Sequence, residues 1–198
     1  MPAQRVIATP GPCAAALPRH RAGWRPLAAT LLAAASLAAP AAQEGADENA
    51  VKAAFIYNFA KFTDWPDDMW NRSNRLRICT TGGGELAHAV SALETKPPVR
   101  GKAVEVRAVT RADDGGGCHI LVIGGRHASV PPGIAGAPVL TVGDADGFAA
   151  GGGIIGMYIE GDKVRFEANP DAAQRAGIKL SSQILKLARI VRDARSGR

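Results

Sequence analysis

The sequence predicts a single-domain α/β protein with a mixed, mostly parallel β-sheet, an antiparallel hairpin at one edge and helices packed on its faces. Three observations favour this class. The 198 residues, 46% of them hydrophobic, are enough for one domain with a core. Short β-like segments alternate with amphipathic helical patterns over residues 42–193, and a pair of strand patterns surrounds Gly161. We expect residues 194–198 to be a flexible basic tail.

The N-terminal sequence predicts export. Residues 1–41 contain four arginines and no acidic residue, and they include most of the Ala- and Leu-rich run PLAATLLAAASLAAPAA. The apolar part is shorter than the roughly 20 residues that span a bilayer, and Ala39-Pro40-Ala41 offers small residues for cleavage. We therefore predict a signal peptide at 1–41, removed after Ala41, and a mature chain without direct membrane insertion.

The net charge does not indicate a nucleic-acid partner. It is +6 for the whole chain and +2 without residues 1–41, because that segment holds four of the 24 Lys and Arg residues and none of the 18 Asp and Glu residues. The remaining basic residues cluster at Arg189, Arg192, Arg195 and Arg198. This pattern is more typical of a solvated helix face and a frayed tail than of a nucleic-acid site.

The cysteines predict one disulfide bond. Only Cys79 and Cys118 remain in the mature chain, and each belongs to a β-like segment, LRICTT and CHILVIGG. An exported protein favours disulfides, and adjacent strands would bring the two α-carbons within bridging distance. The alternative is a pair of buried free thiols.

The first helix is predicted to follow a short leader, with Asp47 as its N-cap. It runs through ENAVKAAFIYNFAKF and ends at Trp65-Pro66, because a residue before proline is disfavoured in helical conformation. The polar stretch DDMWNRSNR reads as a loop. Helical spacing predicts one buried face, consisting of Val51, Ala54, Phe55, Phe59 and Phe62.

The remaining elements alternate in type. LRICTT, VEVRAV, HILVIGG and PVLTVG read as strands, ELAHAVSALE as a helix, and IIGMYIEGDKVRFEA as a hairpin. In its second strand, Val164, Phe166 and Ala168 face the core, and the intervening Lys163, Arg165 and Glu167 face water. Asn169-Pro170 starts a helix, and a final helix covers 181–191.

Motifs that would indicate an enzyme are weak or absent. GGGELA at 82–87 fits a dinucleotide-binding turn, but Glu85 places a negative charge where phosphate would bind, so a simple strand-to-helix turn is favoured. No G-x-S-x-G, S-x-x-K or P-loop occurs. We therefore predict a protein that is not an enzyme and uses no cofactor.

Metal sites are also disfavoured. The spacing of His88, His119 and His127 matches no metal motif, so surface or turn positions are favoured. Asp144 and Asp146 lie in GDADGF, which resembles a calcium loop but lacks the later glutamate, so a turn is expected.

The ordered set of segments resembles the YfiR family over essentially the whole mature chain. The most specific parts are the helix that leads to Trp65-Pro66, the stretch from Leu140 to Asn169 and the terminal segment 181–188. The matching segments are VKAAFIYNFAKFTDWP, LRICTTGG, CHILVIGG, PVLTVGDADGFAAGGGIIGMYIEGDKVRFEANPDAA and IKLSSQILKLARIV.

This resemblance implies a periplasmic protein without enzymatic activity. It implies that the protein binds the periplasmic sensor region of an inner-membrane diguanylate cyclase and represses it, which lowers cyclic-di-GMP and biofilm formation. It also implies a homodimer. Cys79 and Cys118 match two cysteines of the family pattern, whereas a second, closely spaced pair found in some members has no counterpart in 151–168.

The predicted partner-binding residues are Glu167, Asn169, Asp171 and Arg175, where a strand meets a helix start. The alternative is that these side chains only cap the helix and solvate an edge. The alternative function is a periplasmic small-molecule-binding or accessory module of an envelope receptor system.

Overall fold

The computed structural model describes residues 41–125 and 129–193. The described residues belong to one compact unit. The predicted signal peptide (apart from Ala41), the predicted tail and His127 lie outside them. Among the described residues, no helix is long and apolar enough to cross a bilayer.

A seven-stranded sheet forms the centre of the domain. Its strands are β2 (Arg75–Thr81), β3 (Ala103–Val109), β4 (Ile120–Ile123), β5 (Leu140–Gly143), β6 (Ile155–Ile159), β7 (Val164–Ala168) and β9 (Arg189–Ile190). Their order across the sheet is β3-β2-β4-β5-β6-β7-β9. Neighbouring strands are parallel except β6 and β7, which form the antiparallel hairpin. The predicted fold class is confirmed.

The central strands are apolar because both faces of the sheet are covered. Every residue of β4 and β5 is buried, as expected for parallel strands beneath helices and loops. A separate two-stranded antiparallel sheet joins β1 (Thr63–Asp64) to β8 (Lys179–Leu180).

Helix α1 (Ala41–Lys61) differs from its prediction at both ends and in its orientation. It starts before Asp47, which therefore lies inside the helix, and it ends at Lys61 because the chain extends into β1. The predicted face is wrong for Val51, Ala54 and Phe62, which are exposed, and right for Phe59, which is buried. The helix has apolar residues around much of its circumference, and the buried set is Ala53, Ile56, Phe59 and Ala60.

The segment predicted as a polar loop contains helix α2 (Asp67–Trp70). Met69 is 1% exposed and anchors this helix in the core. The next helix, α3 (Glu85–Ser91), follows the Gly82–Gly84 turn as predicted and continues as a 3-10 turn at Ala92–Thr95. A second 3-10 turn, Ala112–Gly117, precedes β4.

The C-terminal elements follow the hairpin. Asn169 caps α4 (Pro170–Arg175), as expected. Ser181 caps α5 (Ser182–Leu187), but the predicted helix to 191 is too long. Residues Arg189 and Ile190 instead pair with β7 as strand β9, because the edge of β7 offers free backbone groups.

Candidate functional site

The predicted disulfide is present. Cys79 in β2 and Cys118, just before β4, are bonded, with their α-carbons 6.0 Å apart. Both residues are buried in an apolar cluster with Leu121, Ile134 and Phe148. The bond therefore ties two neighbouring strands of the central sheet together beneath the loops on one face.

The four predicted partner-binding residues lie together beneath the C-terminal segment, which we define as residues 189–193. Glu167 accepts hydrogen bonds from Arg189, and Asp171 accepts one from Arg192 at 2.5 Å. The C-terminal segment therefore makes ion pairs with two members of the predicted set.

Asn169 and Arg175 complete this arrangement through Asp193. The Asp193 carboxylate accepts from Asn169 Nδ2 at 2.5 Å and pairs with Arg175 at 2.5 Å. All four predicted residues thus contact the C-terminal segment of their own chain.

Burial divides the predicted set into two pairs. Glu167 is 8% exposed and Asn169 is fully buried, so the expectation of a water-facing side is wrong for Glu167, whereas it is confirmed for Lys163 and Arg165, which are exposed. Arg189 in the neighbouring strand β9 pairs with the Glu167 carboxylate and covers it. Asp171 is half-buried and Arg175 is exposed. A partner-binding role for the four residues stays a prediction.

Asn169→Ala is expected to lower the free energy of unfolding by roughly 2 kcal/mol. The side chain accepts from Ala172 N at 3.1 Å and donates to Ala149 O at 2.8 Å, so alanine removes a helix cap and leaves a buried carbonyl unpaired. Urea unfolding measures the change. Asp171→Ala, which removes the ion pair with the exposed Arg192, is the matched control and should cost less than about 1 kcal/mol. Equal losses in the two variants would contradict this role for Asn169.

An apolar groove of about 270 Å³ lies on the face of β7 opposite to the face that carries Glu167. The Phe166 side chain lies on this face because successive strand residues point to opposite faces. Its ring centroid is 5.6 Å from that of Phe55 and 5.0 Å from that of Phe59. Phe62 and Leu187 also line the groove, and Leu187 is 74% exposed. Large exposed apolar side chains around one groove are typical of a contact surface.

A second groove, of about 620 Å³, lies near the two-stranded sheet, and Trp65 and Trp70 line it together with Arg100 and Lys179. The two indole rings are stacked, with centroids 5.6 Å apart. The Arg100 guanidinium lies 4.1 Å from the Trp70 ring centroid and pairs with Asp64 at 2.5 Å. Arg100 has a φ of 48°, so this contact is held by a turn of unfavourable backbone conformation.

His119 lies beneath the two tryptophans and is 1% exposed. Its Nδ1 accepts from Arg77 N at 3.0 Å, and its ring packs edge-on against both indoles. Burial, followed by the positive charge of Lys102, lowers the pKa of His119 to about 4. The residue is therefore a neutral core histidine, and the expected surface or turn position is wrong for it; His88 is exposed, as expected.

Asp144 forms an ion pair and lies next to a turn. Lys52 of α1 donates to Asp144 Oδ2 at 3.0 Å and pairs with Glu48 at 2.7 Å. Burial disfavours the charged lysine, but these two partners outweigh it, so the pKa of Lys52 is raised. Within the described ranges, no group of three or more His, Cys, Asp or Glu side chains is placed to hold a metal ion.

Sequence reasoning missed two parts of this region. The Trp65, Trp70, His119 and Arg100 cluster joins residues from three distant segments, and only the two tryptophans in TDWPDDMW signalled it. The C-terminal segment was missed because RIV fits a helical pattern as well as an extended one.

The fold and the site define a disulfide-bridged α/β domain whose candidate site is an apolar groove beside an ion-paired sheet edge. A family model described as YfiR/HmsC-like matches residues 49–189. The chain belongs to the YfiR/HmsC-like family, in agreement with the sequence resemblance. This is a periplasmic, regulatory and non-catalytic family that acts in diguanylate cyclase signalling.

Solved structures overlap only in part. A conserved domain protein from Vibrio cholerae O1 biovar El Tor aligns with a TM-score of 0.43 and 10% identity, over 70% of this chain and 59% of that chain. The ABC domain from Streptococcus pneumoniae, in complex with L-Trp, aligns with a TM-score of 0.39 and 14% identity, over 60% and 55%. The chain thus spans less than two thirds of either structure.

Proposed function

We propose that this protein binds the periplasmic sensor region of an inner-membrane diguanylate cyclase and represses the enzyme, which lowers cyclic-di-GMP and biofilm formation. The observation that carries the proposal is the family match over residues 49–189. The proposal includes export with removal of residues 1–41 and self-association as a homodimer. Mass measurement of the exported protein tests the removal of residues 1–41, and light scattering of the purified mature chain tests homodimer formation.

Repression requires no catalytic residue. A protein that binds one conformation of a membrane enzyme more tightly than another shifts the balance between them. A difference of about 3 kcal/mol in binding free energy changes that balance by roughly two orders of magnitude. A contact surface is sufficient for this mechanism.

We assign the contact to the apolar groove. The groove supports this assignment because Leu187, at its rim, is 74% exposed, more than any other large hydrophobic side chain in the described part of the chain. Apolar side chains usually form the centre of a protein interface and polar side chains surround them, and Asn58 and Gln183 are the polar residues that line this groove.

Deleting the gene in the native host is expected to raise cellular cyclic-di-GMP and biofilm, and restoring it should reverse both. Complementation with Leu187→Asp is expected to fail, because a carboxylate in an apolar contact is not compensated. The matched control is Ile159→Asp, which also replaces an exposed hydrophobic residue (45% exposed) but lies outside the residues that line the groove.

The readouts are cyclic-di-GMP by mass spectrometry and the amount of each variant in the periplasm. No rise on deletion, in cells that demonstrably express the protein, would contradict the proposal. Equal complementation by Leu187→Asp and Ile159→Asp would contradict the assignment of the groove and leave the repressor function intact.

The second candidate function is binding of a small molecule as an accessory module of an envelope receptor system. The groove beside Trp65 and Trp70 favours it, since about 620 Å³ lies within the range of small-ligand sites. Its lining combines aromatic rings with Arg100, Lys179 and Asp64, a set that suits a polar ligand with an apolar part. Thermal-shift screening of the purified protein, with Trp70→Ala as the control variant, distinguishes this function from repression.

A further inference from the structure

The edge of β7 next to α4 is covered by a contact of small extent. Strand β9 has two residues, and it pairs Glu167 with Arg189 and Ala168 with Ile190 in parallel. One further backbone hydrogen bond, from Val191 N to Ala168 O at 2.9 Å, extends this pairing. The C-terminal segment therefore adds a short strand to an edge that would otherwise be open.

The C-terminal segment is held by its short strand pairing and by ion pairs whose basic side chains face water. The side chains of Arg189 and Arg192 are 59% and 69% exposed although each pairs with a carboxylate. Ile190 is 46% exposed and Val191 is half-buried, so neither apolar residue of the segment belongs to the core. Salt weakens these ion pairs, although less than pairs in which both partners are exposed, because the Glu167 and Asp171 side chains are only 10% and 24% exposed.

The surface beneath the segment has different properties. Glu167 and Asn169 are buried, and they would lose polar partners if the segment left without a replacement. A buried polar group without a partner is costly, and an open strand edge binds other strands. The site is therefore suited to exchange one occupant for another rather than to stand empty.

We propose that the edge of β7, together with Glu167, Asn169, Asp171 and Arg175, is a strand-binding site that the C-terminal segment of the same chain occupies at rest. Its other occupant is an extended peptide segment of a protein partner with the same order of side chains: basic, apolar, apolar, basic, acidic. This order is RIVRD in the chain itself. The basic residues face Glu167 and Asp171, and the acidic residue faces Asn169 and Arg175.

This arrangement makes the C-terminal segment an internal competitor. Because the segment is covalently attached, an outside peptide competes against a high effective concentration and binds the intact protein weakly. A change that weakens the binding of the chain's own segment raises the apparent affinity for the outside peptide, by as much as the competition from the segment is reduced. The inference concerns the site on β7 and does not require that the partner is a cyclase.

The test measures binding of a fluorescein-labelled peptide ARIVRDAR, the sequence of residues 188–195, to the full mature chain by anisotropy. In the variant Arg189→Glu with Arg192→Glu, like charges expel the chain's own segment from Glu167 and Asp171. We expect this variant to bind the peptide at least tenfold more tightly than the wild type does. We also expect the affinity to fall as salt rises from about 50 to about 500 mM.

Two controls isolate the site. The peptide AEIVEDAR, in which glutamate replaces the arginines that correspond to Arg189 and Arg192, should bind neither the wild type nor the variant. The variant Arg107→Glu with Arg111→Glu changes the net charge equally at exposed arginines elsewhere, and it should behave as the wild type. Equal binding of ARIVRDAR to all three proteins, or no binding to a folded Arg189→Glu, Arg192→Glu variant, would overturn the proposal.

Hydrogen exchange of the wild type decides the question if the double variant does not fold. The amides of the C-terminal segment should exchange faster than those of β4, and faster still at higher salt, because opening breaks screened ion pairs. Exchange of residues 189–193 as slow as that of Ile120–Ile123, and independent of salt, would show that the segment does not open and would refute the proposal.

Discussion

Replacing Cys79 and Cys118 together by alanine is expected to lower the free energy of unfolding by about 4 kcal/mol. The disulfide closes a loop with a sequence separation of 39 residues, and without the bond the unfolded chain regains that freedom. For a domain of this size, the loss corresponds to a fall in melting temperature on the order of 10 °C. Thermal and urea unfolding of the mature chain under non-reducing conditions measure it.

Reduction provides the matched control. Wild-type protein that has been unfolded and refolded with a thiol reductant should melt close to the double variant, whereas reductant should leave the double variant unchanged. A variant that melts at the temperature of the oxidised wild type would refute a stabilising role for the bond. Because both cysteines are buried in the same apolar cluster, each alanine also removes some packing, and the reduced wild type separates that loss from the effect of the bond.

Stability is expected to fall by about 3 kcal/mol between pH 6.5 and pH 4 through His119 alone. Its pKa is about 4 in the folded protein and about 6.5 in the unfolded chain. Above pH 6.5 the side chain is neutral in both states and contributes no pH dependence. As the pH falls below 6.5, only the unfolded chain takes up the proton. The free energy of unfolding therefore falls until the folded protein is also protonated, near pH 4.

The physical cause is the surroundings of the ring. Trp65 and Trp70 exclude water from His119, and the cations Lys102 and Arg77 lie close enough to oppose a further positive charge. The replacement His119→Asn removes the titrating group and keeps a polar side chain. Whatever its effect on stability at pH 7.5, its unfolding free energy should fall less steeply towards pH 5.

The comparison of slopes is the measurement, because carboxylates contribute equally to both proteins. His88 is exposed, and His88→Asn is the matched control that should keep the wild-type slope. Urea unfolding at several pH values between about 7.5 and about 5 supplies the slopes. Parallel curves for His119→Asn and the wild type would contradict the buried, neutral histidine.

Sequence patterns predicted the local parts of the candidate site. Asn169 before Pro170 indicated a helix start, and the structure places the Asn169 side chain as its cap. The four predicted residues also lie together, since the end of a strand and the following helix are continuous. What the sequence did not reveal is that Glu167 and Asn169 are covered, because their cover comes from residues more than 20 positions further along the chain.

The errors in the fold have one physical origin. Residues 188–191 can continue a helix or extend into a strand, and the choice depends on the free edge of β7 rather than on propensity. Helix α1 has apolar side chains around much of its surface, so periodicity alone did not decide which of them face the sheet. Helix α2 forms in a mostly polar stretch whose Met69 side chain is buried in the core.

The sequence by itself determined the α/β class, the order of nearly all strands and helices, the hairpin at Gly161, the Cys79–Cys118 pair and the family. These features depend on periodicity, turn residues, helix starts and the order of motifs, all of which can be read from residues that are close together in the sequence. Only the tertiary structure decided the burial of His119 beneath two tryptophans, the pairing of β9 with β7 and the contacts of the C-terminal segment. Those features join residues far apart in the chain, and their energies arise from burial and charge pairing that exist only once the sheet has formed.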